Sequence, residues 1–142
     1  MPFTQHPEQF RAVVSLVGIY DMLRVELDPN GQFNTTEYGS VKDAALFKAL
    51  YAYSPYHHVV DGTKYPTVLM ETGDNDPRVN PAQSRKFTAR LQAASSSQAP
   101  ILLKTFADAG HGSSSSADLQ QQVADFYTFL FQELGVTYRP VQ

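Results

Sequence analysis

Three short apolar runs punctuate the chain, and between them apolar residues recur at helical spacing. Residues 10–18 (FRAVVSLVG) are almost unbroken apolar sequence with three valines, the pattern of a strand covered on both faces. Residues 66–72 (PTVLMET) and 101–106 (ILLKTF) predict two more strands. After the first, residues 20–40 read as a long connection whose turn signal is Asp28-Pro29-Asn30-Gly31. Asp43 is placed to cap a short helix on which Leu46, Phe47, Leu50 and Tyr51 share one face. Ser54-Pro55 ends that helix, because the residue before a proline is pushed out of the α region. Asn80-Pro81 opens the next, with Asn80 as N-cap, Pro81 in the first turn and Gln83 completing a capping box. Phe87 and Leu91 form its apolar face, and residues 93–100 are a small, polar linker. Residues 107–116 are a loop rich in Gly and Ser, in which Ser115 with Asp118 resembles a second capping box. Leu119, Val123, Phe126, Tyr127, Leu130, Phe131 and Leu134 then follow the helical period as far as Gly135. Phe126, Tyr127 and Phe131 read most simply as core.

The order β-α-β-α-β-α implies an α/β fold: a parallel sheet with right-handed crossovers. Ligands of open α/β sheets bind beyond the carboxyl ends of the strands. That points to the loops from Ile19 onward, over 73–79 and over 107–116. At 142 residues the chain is about one domain. The absence of cysteine excludes disulfides, thiolate nucleophiles and Cys-ligated zinc, and fits a reducing compartment. A net charge of -3 gives no footprint for nucleic acid or an anionic membrane. No apolar run approaches the ~18 residues of a membrane-spanning helix, and residues 1–10 lack a signal-like apolar stretch. The expectation is a cytoplasmic protein without a membrane or nucleic-acid partner.

Candidate chemistry gathers in two of these loops. The second reads Thr72-Gly73-Asp74-Asn75-Asp76-Pro77-Arg78-Val79 and the third Asp108-Ala109-Gly110-His111-Gly112. An acid after one strand and a histidine after the next both fall on the same rim. A catalytic imidazole needs such a carboxylate to fix its Nδ1–H tautomer, and the order acid-then-histidine matches the end of a Ser…Asp…His triad. Glycines on both sides of His111 suit a sharp turn that aims the ring outward. The plainer reading leaves Asp74 and Asp76 as loop caps and residues 110–112 as an exposed turn. A calcium loop is a poor fit, because Arg78 stands where a third oxygen ligand belongs. His57, His58 and Asp61 lack metal-ligand spacing, so neither metal nor cofactor is expected.

Several segments, taken in order, carry a resemblance. They are residues 4–10 (TQHPEQF), Asp21-Met22-Leu23, Thr36-Glu37-Tyr38-Gly39, Tyr53-Ser54-Pro55, Asp76-Pro77-Arg78-Val79 and Ala109-Gly110-His111-Gly112. Together they resemble the C-terminal part of the catalytic α/β-hydrolase domain of the prolyl oligopeptidase family of serine peptidases. The resemblance implies that residues 1–142 are a single partial domain, the distal half of an α/β-hydrolase. It implies Asp76 as triad acid and His111 as base, with Asp74 an ordinary loop residue. It further implies Arg78 as a clamp on a substrate carbonyl, a role suited to a rigid, permanently charged fork of donors. Ile19, Tyr38 and Val79 match positions lining the pocket for the residue before the scissile bond. The Tyr38 hydroxyl also matches an oxyanion donor.

Two departures stand out. Asn34 occupies the position of a tryptophan that stacks on the substrate proline, and an amide offers no ring face of comparable area. No G-x-S-x-G or G-G-S-x-G-G occurs anywhere in the sequence. The resemblance puts the nucleophilic serine, on its strand-to-helix elbow, about two to three helical turns upstream of residue 4, before Met1, so that the elbow strand is absent with it. The expected function is therefore the C-terminal catalytic fragment of a serine-type hydrolase acting on a peptide or ester substrate, inactive or weakly active alone. One alternative is a free-standing carboxylesterase that improvises a nucleophile from Ser113, Ser114, Ser115 or Ser116. Ser115 or Ser116 is better suited to capping the last helix, and Ser15 and Ser54 are no better placed. Another alternative is a non-enzymatic, self-assembling domain. The strand edge over residues 12–17, from Ala12 to Val17, is bare and uncharged, so a homo-oligomer burying Val13 and Val14 is expected. Helix surfaces that face the absent half should be exposed as well.

Overall fold

A computed structural model of the chain describes residues 1–112 and 115–139. In chain order it contains α1 (Pro2–Gln5), β1 (Ala12–Leu16), α2 (Gly31–Tyr38), α3 (Ala44–Tyr53), β2 (Thr67–Gly73), α4 (Ala82–Ala94), β3 (Ile101–Phe106) and α5 (Ser116–Leu134). Short 3-10 turns lie at Pro7–Gln9, Val25–Leu27 and Pro55–His58. The strands pair in parallel in the order β1-β2-β3, with Val14 opposite Leu69 and Met70 opposite Leu103. The chain thus forms the expected three parallel strands alternating with helices.

Every residue of β2 is buried, which explains its continuous apolar run. Because strand side chains alternate between faces, Val68 and Met70 point one way, into a core with Phe3 of α1 and Phe87 and Leu91 of α4. The Tyr20 ring stacks on Phe87 with centroids 4.5 Å apart. Burying side chains of this size contributes about 1.5–3 kcal/mol each. Glu71 points to the other face, where its Oε2 accepts a 2.8 Å hydrogen bond from Gln122 of α5.

Asp43 caps α3 as expected, its Oδ1 accepting from the amides of Ala45 at 2.8 Å and Leu46 at 3.0 Å. Ser115 likewise accepts from Asp118 N at 3.1 Å, and Gly135 closes α5 in the left-handed conformation. The capping box at α4 does not form. Asn80 Oδ1 does accept from Ala82 N, but the Gln83 side chain turns away to hold a distant loop. Its Oε1 accepts from Tyr20 N and Asp21 N, and its Nε2 donates to Asp28. A further difference is α2, which lies within the predicted connection.

Two helix faces are more exposed than their periodicity implies. On α3 only Leu50 of the expected stripe is buried, while Leu46, Phe47 and Tyr51 stay exposed. On α5 Phe129 is buried, Phe126 and Phe131 are half-buried, and Tyr127 is 49% exposed. The stripe that includes Leu119, Val123 and Tyr127 is wider than the sheet it covers: α5 rests mainly on β1 and β2, with Asp125 reaching Lys104 of β3. Among the described residues β1 pairs only with β2, leaving its other edge free. No helix among them is long and apolar enough to cross a membrane.

Candidate active site

The loops after β2 and β3 meet backbone to backbone. Asp74 N donates to Phe106 O at 3.0 Å and Asn75 N to Ala109 O at 3.1 Å, while the Asn75 side chain donates to Ala107 O at 2.6 Å. Gly73 makes this approach possible, since a Cβ there would lie 2.2 Å from Gly110 O and 2.4 Å from Ala109 O. The glycines beside His111 are not required in the same way. Neither has a positive φ, and a Cβ on either would make no close contact. The glycine this junction requires is Gly73, not the flanking pair the sequence suggested.

The junction brings Asp76 and His111 together. His111 Nδ1 lies 2.9 Å from Asp76 Oδ2, with the carboxylate side chain fully buried and about a third of the imidazole exposed. The other oxygen, Asp76 Oδ1, accepts from the amides of Arg78 at 2.8 Å and Val79 at 2.9 Å. Three donors thus fix the carboxylate in place, and the imidazole inherits its orientation from them. Asp74 is engaged elsewhere, paired with Arg85 at 2.7 Å.

A cleft of about 770 Å³ opens at this rim, and His111 forms part of its wall. Ile19, Asn34, Tyr38, Arg78 and Val79, all singled out in the sequence, line the same cleft. Val17, also in its wall, has φ 44°, the one positive value at a non-glycine among the described residues. A β-branched side chain is strained in that conformation. Burial raises the Tyr38 pKa and the Glu37 carboxylate raises it further, against a smaller opposing pull from Arg78. Its hydroxyl therefore stays protonated, as a hydrogen-bond donor must. His57, His58 and Asp61 do not converge: His57 meets Ser54 at 2.8 Å, His58 meets Tyr51 O, and Asp61 pairs with Arg90. Ser15 and Ser54 are buried and bonded to Tyr20 and His57, and Ser115 is a helix cap. Ser113 and Ser114 lie outside the described residues.

Residues 1–137 match the model of the prolyl oligopeptidase family. The chain belongs to the prolyl oligopeptidase family. This prolyl oligopeptidase family chain is 37% identical over 135 residues to a prolyl endopeptidase of Elizabethkingia meningoseptica, a match covering 94% of the chain and 19% of that enzyme. It is 36% identical over 136 residues to a prolyl endopeptidase of Dictyostelium discoideum, covering 93% of the chain and 18% of the relative. A solved prolyl endopeptidase structure superimposes with a TM-score of 0.91 at 43% identity, over 95% of this chain and 20% of that one. Oligopeptidase B from Leishmania major shares the fold, with a TM-score of 0.89 at 23% identity, over 96% of this chain and 19% of that one. The prolyl oligopeptidase family chain therefore spans about a fifth of the length of these relatives.

Phe33 in the cleft wall escapes the sequence pattern; Glu37 enters it only inside a resembling segment, and Asn30, which holds α2 against the Arg78 loop, only as a turn residue. Their signal is the spacing 30, 33, 34, 37, 38, a single helical face. It is hidden because the turn residues that precede it make the whole stretch read as a connection.

Proposed function

We propose that this chain supplies the acid–base pair and substrate cleft of a serine-type peptidase that hydrolyses peptide bonds or carboxyl esters by acyl transfer. The observation that carries this reading is the 2.9 Å contact between His111 Nδ1 and the buried Asp76 carboxylate. Asp76 holds the tautomer with Nδ1–H, so Nε2 is the base that takes the serine proton and returns it to the leaving group. The neutral Tyr38 hydroxyl donates to the oxyanion as charge develops there. Arg78 clamps a substrate carbonyl, and Ile19, Asn34 and Val79 border the pocket beside it. The sequence has no G-x-S-x-G. We take the serine to come from a segment outside these 142 residues, docked along the free edge of β1, and the chain alone to be inactive or weakly active. A cysteine-free composition supports a cytoplasmic setting.

The test replaces the matching fifth of the Elizabethkingia meningoseptica enzyme with this chain. The chimera should cleave peptide, and Asp76→Asn should lower kcat by about 10⁴-fold, as loss of the correct tautomer does elsewhere. An active chimera indifferent to His111→Ala sinks the proposal. A fluorophosphonate probe should leave the isolated chain unlabelled. Stoichiometric labelling lost in both His111→Ala and Ser113→Ala would instead assign a free-standing esterase. A second reading, self-association through β1, is favoured by the uncharged free edge beside the exposed α5 stripe.

A further inference from the structure

Helix α2 presents one face to the cleft, formed by Phe33, Asn34, Glu37 and Tyr38 one and two turns beyond Asn30. That face is held in register. Asn30 Nδ2 donates to the carbonyls of Pro77 at 3.0 Å and Arg78 at 3.2 Å, in the loop that carries Asp76. Phe33, one turn along, is therefore positioned by the acid's own loop, not by the core. The only buried residue of α2 is Gly31, and Phe33 has 75% of its surface exposed. The fold gains nothing from a benzyl group there, and an isolated exposed apolar residue carries no message by itself. Its place in the wall of a concave site does. The next residue on the face, Asn34, has an amide and no ring; of the benzene rings in this wall, those of Phe33, Tyr38 and Tyr53, the Phe33 ring is the most exposed and the one without a hydroxyl. Ile19 and Val79 supply further apolar surface to the same cleft.

We propose that Phe33 is a specificity-determining residue of this cleft, and that the side chain it receives is bulky and apolar, aliphatic or aromatic. The inference rests on reading the cleft as a peptidase substrate site and names the substrate class it prefers. A ring wall on a tethered helix rewards side chains that cover its face, and aromatic contacts add to the area they bury. A basic side chain reaching for Glu37 is the competing occupant.

The experiment uses the 142-residue chain and fluorescein-labelled tetrapeptides Gly-Gly-Ala-X with a free carboxylate, where X is Leu, Phe, Ala, Pro or Arg. Binding is read by fluorescence anisotropy. The Leu and Phe peptides should bind about 3- to 10-fold more tightly than the Ala peptide. Phe33→Ala should erase that ratio and Phe33→Trp should keep it, with circular dichroism unchanged because the side chain is exposed. An unchanged ratio in Phe33→Ala overturns the inference, as does tightest binding of the Arg or Pro peptide. If peptides bind in a manner sensitive to Arg78→Ala but without a Phe33-dependent preference, the inference alone fails. If none binds, the peptidase reading of the cleft fails with it.

Discussion

Asp76 uses both carboxylate oxygens, one for the imidazole and one for two backbone amides. Its replacements by Ala and by Asn should therefore separate. Asp76→Ala leaves the amides of Arg78 and Val79 without an acceptor and should cost about 1–3 kcal/mol in denaturant unfolding. Asp76→Asn keeps an oxygen for those amides and should unfold near wild type, while turning an N–H donor toward His111 Nδ1. Glu71 poses the opposite problem. It is fully buried, Oε1 has no hydrogen-bond partner, and burial raises its pKa against smaller pulls from Gln122 and Lys104. A raised carboxyl pKa means the folded state holds its proton more tightly than the unfolded chain. That contribution is complete below about pH 4.3, the unfolded value, and is lost as pH rises through the folded one. Glu71→Gln should accordingly raise Tm at pH 8 by about 2–5 °C and flatten the decline toward alkaline pH, as followed by thermal melts across pH.

At the scale of elements, the site depends on two loops passing closer than side chains allow. Gly73→Ala would drive a Cβ into the carbonyls of residues 109 and 110, where backbone rather than a flexible side chain must yield. The expected cost is about 1–3 kcal/mol. The His111 and Asp76 backbone amide shifts in an ¹H–¹⁵N spectrum should move together. The strands are legible in the sequence as short unbroken apolar runs, and the long helices because their apolar residues keep the helical period. The acid–histidine pair is legible because parallel strands deliver both loops to one rim. Helix α2 is not. Its sequence, GQFNTTEY, has no buried stripe, and Thr35 and Thr36 bond back to the carbonyls of Gln32 and Phe33. Hydroxyls that compete for backbone carbonyls make such a stretch read as a turn. Its order comes from packing of Gly31 against the Val25–Leu27 turn and from Asn30 gripping another loop, a contact 47 residues away that local patterning cannot register. Gln83 misleads for the same reason: its spacing suits a capping box, but a long-range site with three partners outcompetes it.

At the scale of the molecule, the free edge of β1 and the exposed stripe of α5 are surfaces that a second copy could cover. Self-association through them predicts a species heavier than 15.8 kDa in sedimentation velocity at micromolar concentration. Leu16→Lys, placing a charge on the exposed end of β1, should return it to monomer. A wild-type chain that sediments only as monomer removes this mode of assembly. Whatever lies along that edge, the lacing of residues 74 and 75 to residues 106, 107 and 109 has a consequence of its own. The alignment of the His111 imidazole with the Asp76 carboxylate is settled when the sheet forms. On the proposed reading, a hydroxyl brought to this rim would meet an imidazole already facing the right way, with little reorganisation left to slow the first proton transfer.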